Sequence, residues 1–203
     1  MVDVKKAFDS VSPHILSTKL SNYGFDGNAC DLILSFMTNR DQYVDLNGAS
    51  SSQRSINGGT PQGSLLGPIL FSLFVNDLCE IPIFSDICLY ADDTTLYISG
   101  PKLDVIAHKL VADLSLLNSW MRMNCLEINA SKSELLHIRP SKNSVHLPQG
   151  VITIGDLPVA RSPVIKFLGI HLDEEIKGSS YFEHLKRKLV GGVAALSLEP
   201  VTF

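Results

Sequence analysis

Two adjacent carboxylates, Asp92 and Asp93, follow Tyr90-Ala91 between two runs that read as strands, Ile87 to Ala91 and Thr94 to Ile98. That arrangement sets the acids on the crown of a β-hairpin. Neighbouring carboxylates repel, and keeping both ionised in a partly buried site requires a cation whose charge then governs the local chemistry. A third acid is therefore expected close by, and Asp3 supplies it if a strand ending near Val4 lies beside the hairpin. Three acids can grip two divalent ions. Such a pair, about 3.5–4 Å apart, stabilises both the attacking and the leaving oxygen of an in-line phosphoryl displacement, in a polymerase or in a nuclease. Magnesium suits this work because it binds through few carboxylates plus substrate phosphate oxygens, and manganese accepts the same ligands. The alternative for Asp92-Asp93 taken alone, the weaker of the two readings, is an ordinary solvated turn.

The elements that must position these acids are legible as patterns. Val2 to Phe8 reads as a short strand. Ser12-Pro13 then supplies an N-cap and a first-turn proline for a helix through Ile15, Leu16, Leu20 and Tyr23, closed by Gly24. A second helix is expected over Asn28 to Thr38. A hairpin follows, with strands near Tyr43 to Leu46 and Gln53 to Ile56 around Asn47-Gly48. A glycine-rich loop, Asn57 to Gly63, leads into an apolar stretch from Ser64 to Leu78 that reads as a buried helix with Pro68 in its first turn. Beyond the acidic hairpin, Leu103, Ile106, Leu110, Leu114, Leu117 and Met121 form one apolar stripe down a long helix, with Trp120 packed beside it. Strands are expected around Leu126 to Ile128, Glu134 to Ile138, Val151 to Ile154 and Val164 to Leu172, with a polar connector from Pro140 to Gly150 and a last helix from about Tyr181. Strands interspersed with helices in this way indicate an α+β fold with a mostly antiparallel sheet packed on helices.

Composition narrows the classes. In 203 residues, 45% are hydrophobic and 19% charged, which is the balance of a globule with a sizeable core and excludes a disordered chain. No apolar run reaches the length of a membrane span, and the amino-terminal residues have no signal-peptide core, so a soluble, intracellular protein with no membrane partner, nuclear or cytoplasmic, is expected. Cys30, Cys79, Cys88 and Cys125 have no paired metal-ligand spacing and read as reduced core thiols, while the six histidines give no zinc pattern. Any metal would be a hard cation on oxygen ligands. The net charge of -4 argues against a complete nucleic-acid-binding protein and fits the acidic catalytic part of a larger one. Lys186-Arg187-Lys188 reads as a solvated face that could also touch phosphate.

Read in order, Asp3-Val4-Lys5-Lys6-Ala7-Phe8-Asp9, Gly59-Thr60-Pro61-Gln62-Gly63-Ser64 and Tyr90-Ala91-Asp92-Asp93 resemble the reverse transcriptase palm of non-LTR retrotransposons. The resemblance continues in Leu126 to Ser133 and in Lys166-Phe167-Leu168-Gly169-Ile170, which look like the two later palm motifs. It implies a palm with part of the fingers (about residues 12–58) over residues 1–172, and a C-terminal helix forming a thumb stub over 173–203. It also implies a fragment, since a complete enzyme of this family has fingers residues before the first acid and a thumb after the last motif.

Roles follow residue by residue from the resemblance. Asp3, Asp92 and Asp93 match the acids that hold two magnesium ions, with the Val4 carbonyl as a further ligand and Asp92 the more critical hairpin acid. Phe8 matches the aromatic residue that stacks on the sugar and excludes a 2'-hydroxyl; its alternative is simple packing. Gln62 and Gly63 resemble loop residues that touch the incoming nucleotide; the alternative is an ordinary turn. Lys132 resembles the lysine that protonates departing pyrophosphate, against the alternative of a solvated side chain. Phe167, Leu168 and Gly169 resemble the primer-grip turn, or hydrophobic core closing the palm. The implied partners are an RNA or DNA template with its primer and deoxynucleoside triphosphates; oligomeric state is left open. Two other readings stand beside RNA-templated DNA synthesis: a non-catalytic retroelement remnant that binds nucleic acid or another partner irrespective of its acids, and a two-metal nuclease, which product sizing separates from a polymerase.

Overall fold

The computed structural model describes residues 1–139, 147–179 and 181–187. Its extended entry segment makes bridges at Val2 and Val4 and then breaks at Lys6, whose φ of 45° is left-handed. The strand expected to reach Phe8 therefore ends early, and Ala7–Ser10 winds into a 3-10 turn instead. Helix α1 (Pro13–Asn22) starts as predicted: the Ser12 hydroxyl accepts from the Ile15 N–H, and Pro13 occupies the first turn, where a missing N–H costs nothing. Helix α2 (Gly27–Met37) begins one residue before the expected start because the Asp26 carboxylate takes the cap, accepting from the Ala29 N–H at 2.8 Å.

Four short strands follow, β1 (Arg40–Gln42), β2 (Asp45–Leu46), β3 (Ala49–Ser50) and β4 (Arg54–Ile56). β2 and β3 close around Asn47-Gly48, both with positive φ as a type I′ turn requires. Gln42 faces Arg54 while Asp45 faces Ser50, so two residues on one side oppose three on the other and the predicted single hairpin is split by a bulge. Helix α3 (Gly67–Val75) carries Pro68 in its first turn and runs into a 3-10 turn over Asn76–Glu80. The acidic hairpin is β5 (Asp86–Tyr90) with β6 (Asp93–Tyr97), and α4 (Leu103–Met123) is the long helix. The remaining strands are short: β7 (Glu134–Leu135), β8 (Thr153–Ile154), β9 (Leu157–Pro158), β10 (Ala160–Arg161), β11 (Val164–Phe167) and β12 (Ile170–Asp173). Val164 to Leu172, expected as one strand, is a hairpin turning at Leu168-Gly169. Residues 181–187 are helical, as expected from Tyr181 onward. Residues 140–146 of the expected connector, Lys188 of the basic run and the tail from Gly191 lie outside the described residues.

The result is a mixed α+β architecture in which every strand pairing but the parallel β7–β10 contact is antiparallel. Among the described residues no helix is long and apolar enough to cross a membrane. Of the four cysteines only Cys30 is buried; Cys79, Cys88 and Cys125 are exposed, against the expectation of core thiols, and all four are free. The predicted stripe of α4 is the floor of the core: Leu110, Leu114, Leu117 and Met121 are buried against Leu16, Leu20, Phe74 and Leu78.

Within this apolar interior lies one cation that the pattern did not reveal. Lys19 of α1 is 8% exposed; its ammonium donates to the Phe74 carbonyl at 2.7 Å and to Asp77, and sits 4.6 Å from the centre of the Trp120 ring. Burial lowers its pKa, and the Asp77 carboxylate works against that shift. The folded chain thus holds this proton less tightly than the unfolded chain, so stability should rise with pH through the interval between the lowered value and the ordinary 10.5. Lys19→Met should remove that rise and, by leaving Asp77 and the Phe74 carbonyl without their charged donor, lose about 2–3 kcal/mol at neutral pH, measured as the shift in urea midpoint across a pH series.

Candidate active site

Asp3 is held from both ends of its own peptide unit. Its N–H donates to the Ser133 hydroxyl at 3.1 Å, and its carbonyl accepts from the Asn129 N–H at 2.8 Å. Ser133, 1% exposed, donates its own hydroxyl to the Asn129 carbonyl, which also accepts from the Lys132 and Ser133 N–H groups. The turn carrying Lys132 is thereby tied to the backbone of Asp3, with the Lys132 side chain exposed. On the opposite side the Val2 N–H donates to the Thr94 carbonyl at 2.7 Å. Strand hydrogen bonds alternate in direction, so with Asp3 bonded toward the Asn129 turn, the Val4 carbonyl is directed to the hairpin side.

This Val2–Thr94 contact is a single antiparallel bridge, with Asp3 the residue after Val2 and Asp93 the residue before Thr94. Burial lowers the pKa of the Met1 amine, and the Glu134 and Asp93 carboxylates pull it back up. Tyr90 pairs with Asp93, which leaves Ala91-Asp92 as a two-residue turn. Ala91 has a φ of 51° while Asp92 does not have positive φ, the pattern of a II′ turn, whose first position ordinarily belongs to glycine. Asp92 and Asp93 are exposed and Asp3 is half-buried. Helix α4 anchors the hairpin's entry: the fully buried Asp113 carboxylate accepts from the Phe84 N–H at 2.9 Å, from the Ser85 N–H at 2.8 Å and from the Ser85 hydroxyl.

A second group of predicted residues gathers around the 3-10 turn. The Thr60 N–H donates to the Phe8 carbonyl and the Gly59 N–H to the Val11 carbonyl, while Arg40 donates to the carbonyls of Gly58 and Gly59. Gly59, at φ 75°, comes so close that a Cβ would stand 2.7 Å from the Asp9 Cα, so only glycine fits. Gln62 is exposed and its amide nitrogen donates to the Asp9 carboxylate at 2.8 Å; Gly63 has a φ of 79° with open space around it. Phe8 is half-buried, its ring stacked on Phe71 with centroids 4.4 Å apart. Phe167, Leu168 and Gly169 lie at the β11–β12 turn, with φ of 46° at Leu168 and 87° at Gly169, and the β10–β7 pairing before it is continued by the Ser162 N–H donating to the Leu135 carbonyl.

The donor set at the sheet end is all oxygen, three carboxylates and a directed carbonyl, which suits a hard divalent cation. Among the described residues, however, no three histidine, cysteine, aspartate or glutamate side chains are drawn into one metal-holding group. Asp3 and Asp93 are each next in sequence to a residue of the bridged pair Val2 and Thr94, and Asp92 lies in the adjoining turn.

The sequence model for reverse transcriptase (RNA-dependent DNA polymerase) matches residues 1–172, which takes in every element of both groups. The chain belongs to the reverse transcriptase family. Its relatives are retroelement proteins. It is 28% identical over 203 residues to the RNA-directed DNA polymerase from mobile element jockey of Drosophila melanogaster, covering 97% of this chain and 22% of that protein. It is 29% identical over 197 residues to the probable RNA-directed DNA polymerase from transposon BS of the same fly, covering 91% and 20%. To the Pol polyprotein from the type-1 retrotransposable element R1 of Bradysia coprophila it is 23% identical over 197 residues, covering 96% and 19%. The chain therefore spans about one fifth of the length of these reverse transcriptase relatives.

Three residues of this reverse transcriptase chain carry the site without having been singled out: Ser133, Asp113 and Asp9. For Asp113 a signal existed, since a carboxylate three residues after Leu110 and four before Leu117 falls on the buried face of α4. Ser133→Ala should cost about 1–2 kcal/mol by leaving the Asp3 N–H without its buried acceptor, visible as a lower urea midpoint and faster amide exchange at Asp3. Ala91→Gly should do the reverse. Relief of a left-handed alanine is worth roughly 1–2 kcal/mol and the added glycine entropy takes back about 0.5–1, so a net gain of about 0.5–1 kcal/mol is expected in the same denaturation measurement.

Proposed function

We propose that this chain is the catalytic palm of a retroelement reverse transcriptase, with residues of about 12–58 belonging to the fingers and residues 173–203 to the start of a thumb, and that it serves RNA-templated DNA synthesis by two-metal nucleotidyl transfer. The observation that supports this most is the Val2–Thr94 bridge, which joins the segment carrying Asp3 to the strand that follows Asp92 and Asp93, in a chain of this family. Asp3, Asp92 and Asp93, with the Val4 carbonyl, would hold two magnesium ions. When bound, such ions supply charge stabilisation of the attacking and leaving oxygens.

The chain's own residues account for the remaining tasks. Lys132, on the turn tied to Asp3, would carry the proton given to departing pyrophosphate, as an ammonium beside phosphate can. Phe8, braced by Phe71, would stack on the sugar and favour deoxynucleotides. Gln62 and Gly63 contact the incoming nucleotide, and the turn at Phe167, Leu168 and Gly169 steadies the primer. The partners are then a primed RNA or DNA template and deoxynucleoside triphosphates, met inside the cell, in the nucleus or the cytoplasm.

Primer extension on an RNA template with magnesium tests this. Asp92→Asn should lower extension by about a hundredfold or more, the scale on which a single preorganised electrostatic group acts. It should also abolish the broadening that paramagnetic manganese causes at the amides of Asp92 and Asp93. Equal extension by both proteins, or manganese broadening that ignores the substitution, would overturn the assignment, and shortened rather than lengthened products would make the site a nuclease.

A further inference from the structure

We infer that Asp9 is a positioning residue that fixes which end of the Gln62 amide is offered to the incoming nucleotide. The inference rests on the nucleotide-loop reading of Gln62 and goes beyond it. A glutamine amide presents a donor at one end and an acceptor at the other, and an exposed one can turn over between the two. An ionised carboxylate only accepts hydrogen bonds. With the Asp9 Oδ1 at 2.8 Å from the amide nitrogen of Gln62, the NH2 group is committed to Asp9 and the Gln62 Oε1 faces away as an acceptor.

The distance between these two side chains is set by backbone that has little room to vary. Gly59 rests on the Asp9 backbone so closely that any Cβ would meet it, the Thr60 N–H bonds the Phe8 carbonyl, and the Gly59 N–H bonds the Val11 carbonyl. These contacts join the loop to the chain before Asp9, at Phe8, and after it, at Val11. The choice of a carboxylate here also needs a reason, because a negative side chain beside a site for a triphosphate is electrostatically unfavourable. Setting the polarity of Gln62 supplies that reason. An asparagine of the same size would tolerate both amide orientations, and an alanine would enforce neither.

The test compares Asp9→Ala, Asp9→Asn, Gln62→Ala and the Asp9→Ala/Gln62→Ala double variant, reading magnesium-dependent deoxynucleotide affinity by calorimetry and the KM for deoxynucleotide in primer extension. A charge-assisted hydrogen bond of the usual strength corresponds to about a tenfold effect. Asp9→Ala should weaken nucleotide affinity and raise KM by about that factor with kcat nearly unchanged, Asp9→Asn should fall in between, and the double variant should be no worse than Gln62→Ala. If Gln62→Ala weakens binding while Asp9→Ala leaves it unchanged, or if the two losses simply multiply, the role of Asp9 is overturned and the nucleotide loop stands. If Gln62→Ala changes nothing, or the native chain binds no nucleotide, the loop reading fails and the role of Asp9 falls with it.

Discussion

The peptide unit of Asp3 is the constraint on which the site depends. An extended segment that is hydrogen-bonded on one side to β6 and on the other to the turn at Asn129 has no freedom to slide, because a slip of one residue would turn Val2 and Val4 out of the core and Asp3 into it. Both valines are buried, at 5% and 8% exposure, and their burial locks the register that faces Asp3 toward the end of the sheet. The apolar alternation of four residues thus determines where a charged group emerges. Everything else near the site, from the Ser133 hydroxyl to the Asp113 carboxylate, secures the two partners between which this segment is threaded.

The core and the anchors do different jobs. Burying the stripe of α4 against α1 and α3 provides most of the driving force, at about 25 cal/mol per Å² of apolar surface, but that force is non-directional and would tolerate small rotations of the helix. A buried carboxylate accepting from two consecutive peptide N–H groups and a hydroxyl tolerates none. Asp113 therefore converts a packed helix into an aligned one, holding Phe84 and Ser85 where β5 must begin. Lys19 acts similarly between α1, the end of α3 and Trp120 of α4. An unpaired charge in either place would be strongly unfavourable, which makes misaligned packings poor competitors.

Local rules recovered much of this from the sequence. Ser12-Pro13 and Asn47-Gly48 announce a helix start and a turn because their side chains or backbone freedom act within a few residues, and the stripe of α4 repeats over about five turns. The hairpin that carries Asp92 and Asp93 is local in the same sense. What escaped depends on partners far along the chain. The left-handed Lys6 has no sequence signature, yet it ends the first strand and turns Phe8 onto Phe71. Ser133 serves Asp3 across 130 positions, and Gln62 meets Asp9 across 53. Asp113 lay in plain view on an apolar face, but only the positions around Phe84 reveal what it binds.

Turn chemistry differs from one hairpin to the next. The β2–β3 turn carries Asn47-Gly48, the pair that positive φ angles favour, and no chemistry is assigned to it. The β5–β6 turn places alanine where a glycine would relax it, and the β11–β12 turn places an exposed leucine at a φ of 46°. Each departure costs on the order of 1–2 kcal/mol, and neither is compensated by burial of the strained residue. The same left-handed backbone recurs at Cys125 and Ile176, so it is not confined to these two hairpins, and what distinguishes the β5–β6 turn is that the strained residue directly precedes two exposed carboxylates.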